Sequence, residues 1–315
     1  MYNYDVYEIS DIIKEAEASP EKFADKCEKQ YESTLDALAK NLAKGSSQAP
    51  VVLLSGPSGS GKTTTCLKLE ERLDGMGYET HSISLDNYFH PITAEERPLF
   101  EANLLDLESP DRVDRELLNS QLSDLLAGKE VEIPHFDFIT NTRQKSGRSL
   151  KLRKGEIIIL EGIHSLNPQL IENAASFSHG VYVSVRSRIE YKVAGESFLL
   201  HPSKVRLARR MIRDKRTRNR NPSAVVAIYD SVERGENKYI MPYKHLAATD
   251  IDTFFPYEMA LYKGLLPSSL PEDEAKHPWL TELFEVLSKL TAVDPRHVPH
   301  DSLLREFIGG GKYGD

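Results

Sequence analysis

Residues 51–65, VVLLSGPSGSGKTTT, place glycines, a lysine and a run of threonines at the end of an apolar run. Gly56, Gly61, Lys62 and Thr63 fit the pattern G-x-x-x-x-G-K-[S/T] without a mismatch. In such a loop the glycines let backbone N–H groups turn towards phosphate oxygens, and the following helix adds the positive end of its dipole. The lysine reaches the β- and γ-phosphates, and the threonine hydroxyl is placed to ligate Mg²⁺. The loop therefore predicts a site for a nucleoside triphosphate.

We expect the loop residues to contact the phosphates through backbone N–H groups and hydroxyls. The set comprises Gly56, Ser58, Gly59, Ser60, Gly61, Lys62, Thr63 and Thr64. The alternative is a glycine-rich strand-to-helix turn in which the lysine occurs by chance. The apolar strand before the pattern and the amphipathic helix after it favour the phosphate loop.

Two acidic residues end apolar segments that are predicted to be strands. Asp86 ends THSISLD (80–86), and Glu161 follows IIIL within GEIIILEG (155–162). Open α/β sheets bind ligands at the carboxyl ends of their strands, so we expect both carboxylates beside the phosphate loop. Asp86 could take the proton of an attacking hydroxyl, and both acids could join Thr63 around Mg²⁺. The alternative at each position is an N-cap or a solvated loop acid.

Residues 204–222, KVRLARRMIRDKRTRNRNP, are dense in arginine. Helical spacing relates the first arginines, and the others follow less regularly: Arg206, Arg209, Arg210, Arg213, Arg216, Arg218 and Arg220. A solvated basic helix face and a nucleic-acid patch are the alternatives. The formal net charge of the chain is -8 and the segment lacks interleaved aromatic residues, which argues against nucleic acid. We therefore predict a mobile lid that closes over the transferring phosphate.

The remaining pattern predicts the elements that position these motifs. Continuous apolar runs separated by amphipathic segments indicate a parallel sheet covered by helices on both faces. The predicted strands are residues 51–54, 80–86, 155–162, 180–185 and 249–255. Residues 109–129 are predicted to form a helix with Ser109 as its N-cap. Residues 1–45 and the tail from about residue 266 are also predicted to be helical.

The 315 residues divide into a helical N-terminal extension (1–48), a catalytic domain (49–265) and a helical C-terminal tail (266–315). The N-terminal sequence does not resemble a signal peptide, and no stretch approaches the roughly 20 apolar residues of a membrane span. Cys27 and Cys66 lack metal-ligand spacing, which is typical of a reduced, cytoplasmic compartment. We therefore expect no membrane partner, while a homo-oligomer stays open.

Five motifs, GPSGSGKTT, SLDNYF, PHFDF, ILEGIH and RRMIRD with a later arginine, together resemble the uridine kinase and phosphoribulokinase branch of the P-loop kinases. The resemblance covers roughly residues 45–265, and the ending SLLREFIGG (302–310) resembles that of bacterial uridine kinase-like proteins. It implies a P-loop NTPase three-layer α/β sandwich. It also implies ATP and Mg²⁺ as cofactors and a nucleoside hydroxyl as the phosphoryl acceptor.

The resemblance implies a role for each matching residue. Asp86 would be the base towards the 5′-hydroxyl, and Glu161 would act at the metal and the acceptor. Arg210, Arg213 and Arg218 would contact phosphates and the nucleoside, with Arg213 in catalysis. Lys62 completes the implied catalytic set, and Tyr88 of SLDNYF joins the implied acceptor site.

The acceptor motif departs from the family pattern. Phe136 stands where the family has a tyrosine that reads the pyrimidine, and Asn141 stands where it has a histidine. Losing groups that bond a base edge is expected to weaken pyrimidine selection. The aspartate that the family uses on the ribose hydroxyls is not cleanly matched, and Asp106 and Glu108 are both candidates.

The leading hypothesis is an ATP-dependent kinase that phosphorylates a nucleoside similar to uridine or cytidine. One alternative is a kinase for another sugar or sugar-phosphate acceptor. The other, from a different class, is an ATP-binding regulatory or RNA-associated module with weak turnover. Acceptor-dependent release of ADP separates these hypotheses.

Overall fold

The structure is a computed structural model and describes residues 4–102, 104–138, 140–172, 175–266 and 278–313. Strands and helices alternate through most of the chain. The strands are β1 (Val6–Glu8), β2 (Val51–Ser55), β3 (Thr80–Ser84), β4 (Glu130–Asp137), β5 (Thr142–Lys151), β6 (Ile157–Glu161), β7 (Ser178–Ser184), β8 (Arg188–Val193), β9 (Glu196–Leu199) and β10 (Thr249–Asp252). The helices are α1 (Ile9–Ala18), α2 (Pro20–Gly45), α3 (Lys62–Gly75), α4 (Arg97–Glu101), α5 (Arg115–Leu126), α6 (Pro202–Thr217), α7 (Pro222–Gly235), α8 (Glu258–Lys263), α9 (Pro278–Lys289) and α10 (Arg305–Ile308).

The central sheet contains five parallel strands in the order β10-β7-β2-β6-β3. All residues of β2 and β6 are buried, because helices cover both faces of the sheet. Alternate residues of β2 enter different cores: Val52 and Leu54 face one hydrophobic cluster, and Val51 and Leu53 face the other. The sheet and the two flanking layers form the three-layer α/β sandwich that the apolar runs predict.

The larger of the two clusters joins segments that are distant in sequence. It contains Ile12 of α1, Leu35 of α2, Leu69 of α3 and Phe307 of α10, each at most 1% exposed. The N-terminal extension and the C-terminal tail therefore pack into the same core as the central sheet. The helix predicted in the tail is present as α9, in which Leu280, Leu283 and Leu287 are buried.

The predicted strand over residues 80–86 is too long. The strand ends at Ser84, whose hydroxyl accepts a hydrogen bond from the Asp86 N–H and starts the 3₁₀ turn Leu85–Tyr88. Asp86 consequently lies in the turn that follows the strand. Serine hydroxyls often accept a hydrogen bond from the backbone N–H two residues later, and this bond favours a turn.

The helix predicted over residues 109–129 is shorter than expected. Ser109 does accept a bond as a cap, but it caps only the 3₁₀ turn Pro110–Arg112. Val113 is extended and pairs with Phe89, so the α-helix begins later, at Arg115, with the Asp114 carboxylate accepting from the Leu117 N–H.

Two hairpins and one short strand were not predicted. β4 and β5 form an antiparallel pair that carries the PHFDF motif, and β8 pairs with β9. β1 adds to β8 in parallel, so the N-terminal extension is not wholly helical. No helix within the described ranges has both the length and the apolar character needed to cross a membrane.

Candidate active site at the phosphate loop

Both glycines of the motif are required by their surroundings. The loop passes so close to β7 that a Cβ atom on Gly56 would lie 1.9 Å from the Val183 carbonyl oxygen. Gly61 precedes α3 in a left-handed conformation with φ +83°, which favours glycine. A Cβ atom at Gly61 would also lie 2.6 Å from Leu303 Cδ1. The loop therefore fits its environment only with a bare backbone at these two positions.

Side chains outside the loop hold two of its carbonyl groups. Arg209 Nη1 donates to the Gly59 carbonyl oxygen at 3.1 Å, and the Thr253 hydroxyl donates to the Ser60 carbonyl oxygen at 2.7 Å. The C=O and N–H of one trans peptide point in opposite directions, so the Gly61 N–H points into the loop. The Ser60 hydroxyl is fully buried and has no hydrogen-bond partner among the described residues.

The first turn of α3 presents the motif's polar groups. The Lys62 ammonium reaches back across the loop and donates to the Pro57 carbonyl oxygen at 3.2 Å. Thr63 is exposed at the second position of the helix. Thr64 is buried, and both its N–H and its hydroxyl donate to the Glu306 carboxylate, at 3.2 and 2.7 Å. The motif did not predict this contact with the C-terminal tail.

The two predicted acids lie together with Lys62 at the carboxyl ends of β3 and β6. Burial raises the pKa of Asp86, and the nearby positive charge of Lys62 opposes that rise. Burial raises the pKa of Glu161 to about 7, where Lys62 opposes the rise and Asp86 adds to it. Ser84 links the two acids, since its hydroxyl donates to Glu161 Oε2 at 3.5 Å and accepts from the Asp86 N–H. The structure thus brings together the three groups that the sequence placed at the reaction centre.

Arginines of α6, and Arg218 directly after it, lie beside the loop. Arg210 Nη1 donates to the Ser58 hydroxyl at 3.0 Å. Arg213 donates to Asp214 Oδ1 through Nε and Nη2, at 2.9 and 2.8 Å. Arg218 Nη1 lies 3.7 Å from Asp214 Oδ2. One buried carboxylate is therefore shared by several guanidinium groups beside the loop.

The positive charge of this group reaches the candidate base. Arg213 and Arg218 both oppose the burial-driven rise in the pKa of Asp86, so their guanidinium groups are near its carboxyl. Burial and the charge of Arg213 lower the pKa of Arg218 to about 10. Whether the segment moves as a lid stays a prediction. Its residues form α6 and α7 around a short connection, and α6 rests against the loop.

Glu108 is the member of the Asp106/Glu108 pair that lies near the reaction centre. Burial raises its pKa, the charges of Arg210 and Lys62 oppose the rise, and Asp86 adds to it. The Asp106 carboxylate instead accepts from the Tyr239 hydroxyl at 2.8 Å. From the sequence, both residues were candidates for the acid that binds the ribose hydroxyls, and no local pattern distinguished them.

His164 is a buried site residue that the motifs did not single out. Its Nε2–H donates to the Glu108 carbonyl oxygen at 2.9 Å. Burial lowers the pKa of His164 to about 4, so the ring is neutral near pH 7. Its place in ILEGIH, three residues after Glu161, was the available signal.

The predicted acceptor residues are only partly assembled. Phe136 is buried with its ring 5.8 Å from that of Phe89 and 5.2 Å from that of Phe138. Asn141 has φ +55° in the connection between β4 and β5. Tyr88, by contrast, lies in the core and donates to Gln121 Oε1 at 2.8 Å. Its hydroxyl therefore points into a helix contact instead of an acceptor site.

Phe138 is the aromatic residue of PHFDF that remains accessible. Its side chain is 50% exposed, and the Arg218 guanidinium carbon lies 5.9 Å from the ring centroid. This contact connects the acceptor-side hairpin with the arginine segment. Phe138 was not among the predicted site residues, yet its ring is far more accessible than that of Phe136.

A divalent cation fits the donor set at the loop. The exposed Thr63 hydroxyl supplies a neutral oxygen, and Asp86 and Glu161 supply two carboxyls close enough to raise the pKa of Glu161. Oxygen ligands of this kind are those that Mg²⁺ prefers. These three residues would hold it.

The comparisons with known proteins concern the part of the chain that contains these residues. The model of the Phosphoribulokinase / Uridine kinase family matches residues 51–254. A uridine kinase of Macrococcus caseolyticus is 30% identical over 64% of this chain and 86% of its own length. Uridine-cytidine kinase B of Dictyostelium discoideum is 29% identical over 62% of this chain and 70% of its own length.

A solved structure shares the fold. A protein of Silicibacter sp. TM1040, described as a fructose transport system kinase, superposes with a TM-score of 0.53 at 19% identity. The superposition covers 69% of this chain and 98% of that protein. The match concerns the arrangement of the sheet and its flanking helices.

Proposed function

The chain belongs to the phosphoribulokinase / uridine kinase family of P-loop kinases, and we propose that it transfers the γ-phosphate of ATP to a hydroxyl of a nucleoside similar to uridine or cytidine. The observation that carries the proposal is the surroundings of Asp86. This carboxyl lies near Lys62, Arg213 and Arg218, at the carboxyl end of the central sheet. A proton acceptor and the cations needed for a transferring phosphate therefore meet at one place.

In this proposal Asp86 accepts the proton of the acceptor hydroxyl. Burial raises its pKa, which increases its affinity for that proton. Lys62 neutralises charge on the terminal phosphates, and the inward N–H groups of the loop hold their oxygens. Little covalent chemistry is needed, because positioning and charge stabilisation account for most of the catalysis of phosphoryl transfer.

Arg210 and Arg213 stabilise the negative charge that spreads over the transferring group. Arg210 already contacts the loop through Ser58, and Arg213 is oriented by two bonds to Asp214. A Mg²⁺ ion held by Thr63, Asp86 and Glu161 would supply further charge neutralisation at the phosphates.

The family relatives and the aromatic hairpin support a nucleoside acceptor. Two relatives are named uridine or uridine-cytidine kinases. The half-exposed ring of Phe138, beside Arg218, offers a stacking surface for a base. Glu108, near Lys62 and Asp86, would accept hydrogen bonds from the ribose hydroxyls.

A kinase for another sugar-containing acceptor is the second candidate. The observation that favours it is Phe136, whose ring is closed into an aromatic cluster and carries no hydroxyl for a base edge. In that case the hairpin would supply apolar contact, and selection would fall to Glu108 and the arginines. An ATP-binding regulatory or RNA-associated role would show no acceptor-dependent turnover.

The decisive experiment measures ADP release with ATP, Mg²⁺ and a panel of nucleosides, sugars and sugar phosphates. We expect at least one nucleoside to stimulate ADP release, and Lys62→Ala to lower that rate by a factor of about 100 or more. Stimulation by sugars or sugar phosphates alone would favour the second candidate. An unchanged rate in Lys62→Ala would contradict the role of the loop.

Selectivity is tested by restoring the family's acceptor residues. Apolar contact discriminates by about 1–3 kcal/mol, so the natural protein is expected to show little preference among nucleosides. Phe136→Tyr with Asn141→His should raise kcat/KM for uridine and cytidine, and histidine tolerates the positive φ of position 141. A preference of the natural protein for uridine of about a thousandfold would show that other residues read the base.

A further inference from the structure

The C-terminal tail delivers a carboxylate to the phosphate loop. Glu306 Oε2 accepts from the Thr64 N–H at 3.2 Å and from the Thr64 hydroxyl at 2.7 Å. The two residues are 242 positions apart in the chain. A carboxylate and a phosphate oxygen compete for the same kind of donor, so the position of this contact matters.

Thr64 belongs to the turn that binds anions. The Thr65 N–H makes a helical bond, to the Gly61 carbonyl oxygen at 3.0 Å. The N–H groups of Lys62, Thr63 and Thr64 precede it and lie among the unpaired donors with which a helix begins. Such donors, with the helix dipole, attract negative charge. Glu306 therefore occupies part of the anion-binding turn itself.

The position of Thr64 identifies the phosphate that Glu306 replaces. In a phosphate loop the lysine reaches the β- and γ-phosphates, and the adjacent threonine serves the metal that bridges them. The backbone of the same loop also cradles the α-phosphate. Thr64 is the next donor after Lys62 and Thr63, so it is left for the α-phosphate, the one attached to the nucleoside.

The tail holds Glu306 firmly in this place. Leu303, Leu304 and Phe307 are fully buried in the larger core. The Ser302 hydroxyl donates to the buried Glu28 carboxylate. Arg305 donates to carbonyl oxygens on both sides of the segment, including that of Gly309 at 3.2 Å. Glu306 is consequently held at the site by a well-packed segment.

The charges around Glu306 do not cancel it. The charge of Glu306 acts on Arg209, but Arg209 is paired with Glu258 through two hydrogen bonds of 2.8 and 3.1 Å. The acidic Glu161 is also close enough for the two charges to repel. A second anion at Thr64 would therefore meet the charge of Glu306 as well as an occupied donor pair.

We propose that Glu306 determines donor selectivity by opposing the α-phosphate while leaving the positions of the two terminal phosphates open. The inference rests on the proposed function, because it presumes that the loop binds a phosphate chain. A nucleoside triphosphate must displace the Glu306 carboxylate from Thr64 or bind beside it. Inorganic pyrophosphate needs only Lys62, Thr63 and the earlier N–H donors of the loop.

The test compares the affinities for ATP and for inorganic pyrophosphate, each with Mg²⁺, by isothermal titration calorimetry. Glu306→Gln keeps the shape and one acceptor for Thr64 but removes the charge. We expect this variant to bind ATP roughly 10- to 100-fold more tightly than the natural protein. Its affinity for pyrophosphate should change by less than about threefold, since that ligand does not need Thr64.

The matched control is Asp301→Asn. Asp301 lies on the same tail, is more than half exposed and lies 3.8 Å from Lys68. This substitution removes the same charge away from Thr64, so both affinities should be unchanged. If Glu306→Gln fails to fold, Glu306→Asp serves instead, because its shorter side chain withdraws the carboxylate from Thr64. It should then tighten ATP binding in the same direction.

The outcomes separate this inference from the proposed function. If Glu306→Gln leaves ATP affinity unchanged or weakens it, while Lys62→Ala abolishes binding, Glu306 is only a helix cap and the inference is wrong. An equal gain for ATP and pyrophosphate would also overturn it. If the natural protein, Glu306→Gln and Lys62→Ala all fail to bind either ligand, the proposed function and the inference fail together.

Discussion

The arginines of α6 and of the residues directly after it fall into two groups with different surroundings. In the first group each guanidinium has its own carboxylate: Arg206 pairs with Glu236, and Arg209 pairs with Glu258. In the second group Arg210, Arg213, Arg218 and Arg220 share the single buried carboxylate of Asp214. Arg209 and Arg210 are adjacent in the chain, yet one belongs to each group.

The difference in carboxylate partners shows that neighbouring arginines of one segment can serve different purposes. The paired group is electrically satisfied and holds the outside of the phosphate loop through the Gly59 carbonyl. The sharing group has more positive than negative charge and faces Asp86 and Ser58. We expect the first group to contribute to stability and the second to catalysis.

The largest expected effect concerns the paired group. Arg209→Met leaves the fully buried Glu258 without its cation, and should lower the free energy of unfolding by about 3–5 kcal/mol. Urea denaturation measures this change. The double variant Arg209→Met/Glu258→Leu should recover most of the loss. A loss below about 1 kcal/mol in the single variant would remove the basis of the comparison.

The sharing group is tested by Arg213→Met. We expect kcat to fall by a factor of about 100 to 1,000, because a cation that stabilises the transferring phosphate is lost. The free energy of unfolding should change by less than that of Arg209→Met, since Asp214 keeps other arginines nearby. Steady-state kinetics and urea denaturation on the same preparation give both numbers. A stability loss equal to that of Arg209→Met would erase the distinction.

Glu28 offers the opposite case, because this buried acid has no ion pair among the residues that the structure describes. Glu28 of α2 accepts from the hydroxyls of Tyr257 and Ser302, at 2.6 and 2.5 Å, and burial raises its pKa to about 7. The folded state therefore holds this proton more tightly than the unfolded chain, whose pKa is near 4.5. Its contribution to stability is complete below about pH 4.5 and is lost as the pH rises through about 7.

Glu28→Gln tests this pH dependence. The variant and the natural protein should have similar unfolding free energies at pH 5. At pH 8 the variant should be more stable by about 2–3 kcal/mol, since glutamine carries no charge to bury. Denaturation curves at both pH values measure the difference. A natural protein that gains stability relative to the variant as the pH rises would contradict the raised pKa.

The smallest expected effect belongs to Arg220, at the edge of the sharing group. Its side chain is 41% exposed, and its Nη1 lies 4.0 Å from Asp214 Oδ2. Arg220→Met should change the unfolding free energy by less than about 0.5 kcal/mol, as exposed pairs usually do. Its kcat should stay within a factor of about three of the natural value. A large loss of kcat would place Arg220 among the groups that contact the phosphates.

The positions of the phosphate-loop residues could be predicted from the sequence, because they depend on local spacing. Gly56, Gly61 and Lys62 lie within one loop, and the strand and helix around them have clear periodicity. Asp86 and Glu161 were found because strands of a parallel sheet end at a common edge. For these residues, chain position and position in space are linked by the topology of the sheet.

The acceptor side was predicted less well, because its geometry depends on tertiary packing. Nothing local distinguishes Tyr88, which enters the core, from Phe138, which stays half exposed. The contact between Thr64 and Glu306 joins residues 242 positions apart, and no periodicity in the sequence predicts it. The same limit hid the different surroundings of Arg209 and Arg210.

The contact of the C-terminal tail with the phosphate loop and α3 has a consequence for folding during synthesis. A ribosome makes the phosphate loop long before it makes Leu303 and Phe307, which complete the core beneath that loop. A nascent chain therefore carries the nucleotide-binding motif on an unfinished core until these residues have been made. Folding must wait for contacts of very long sequence separation, which are slow to form. Chains interrupted before these residues would carry the motif and lack the packing that shapes it.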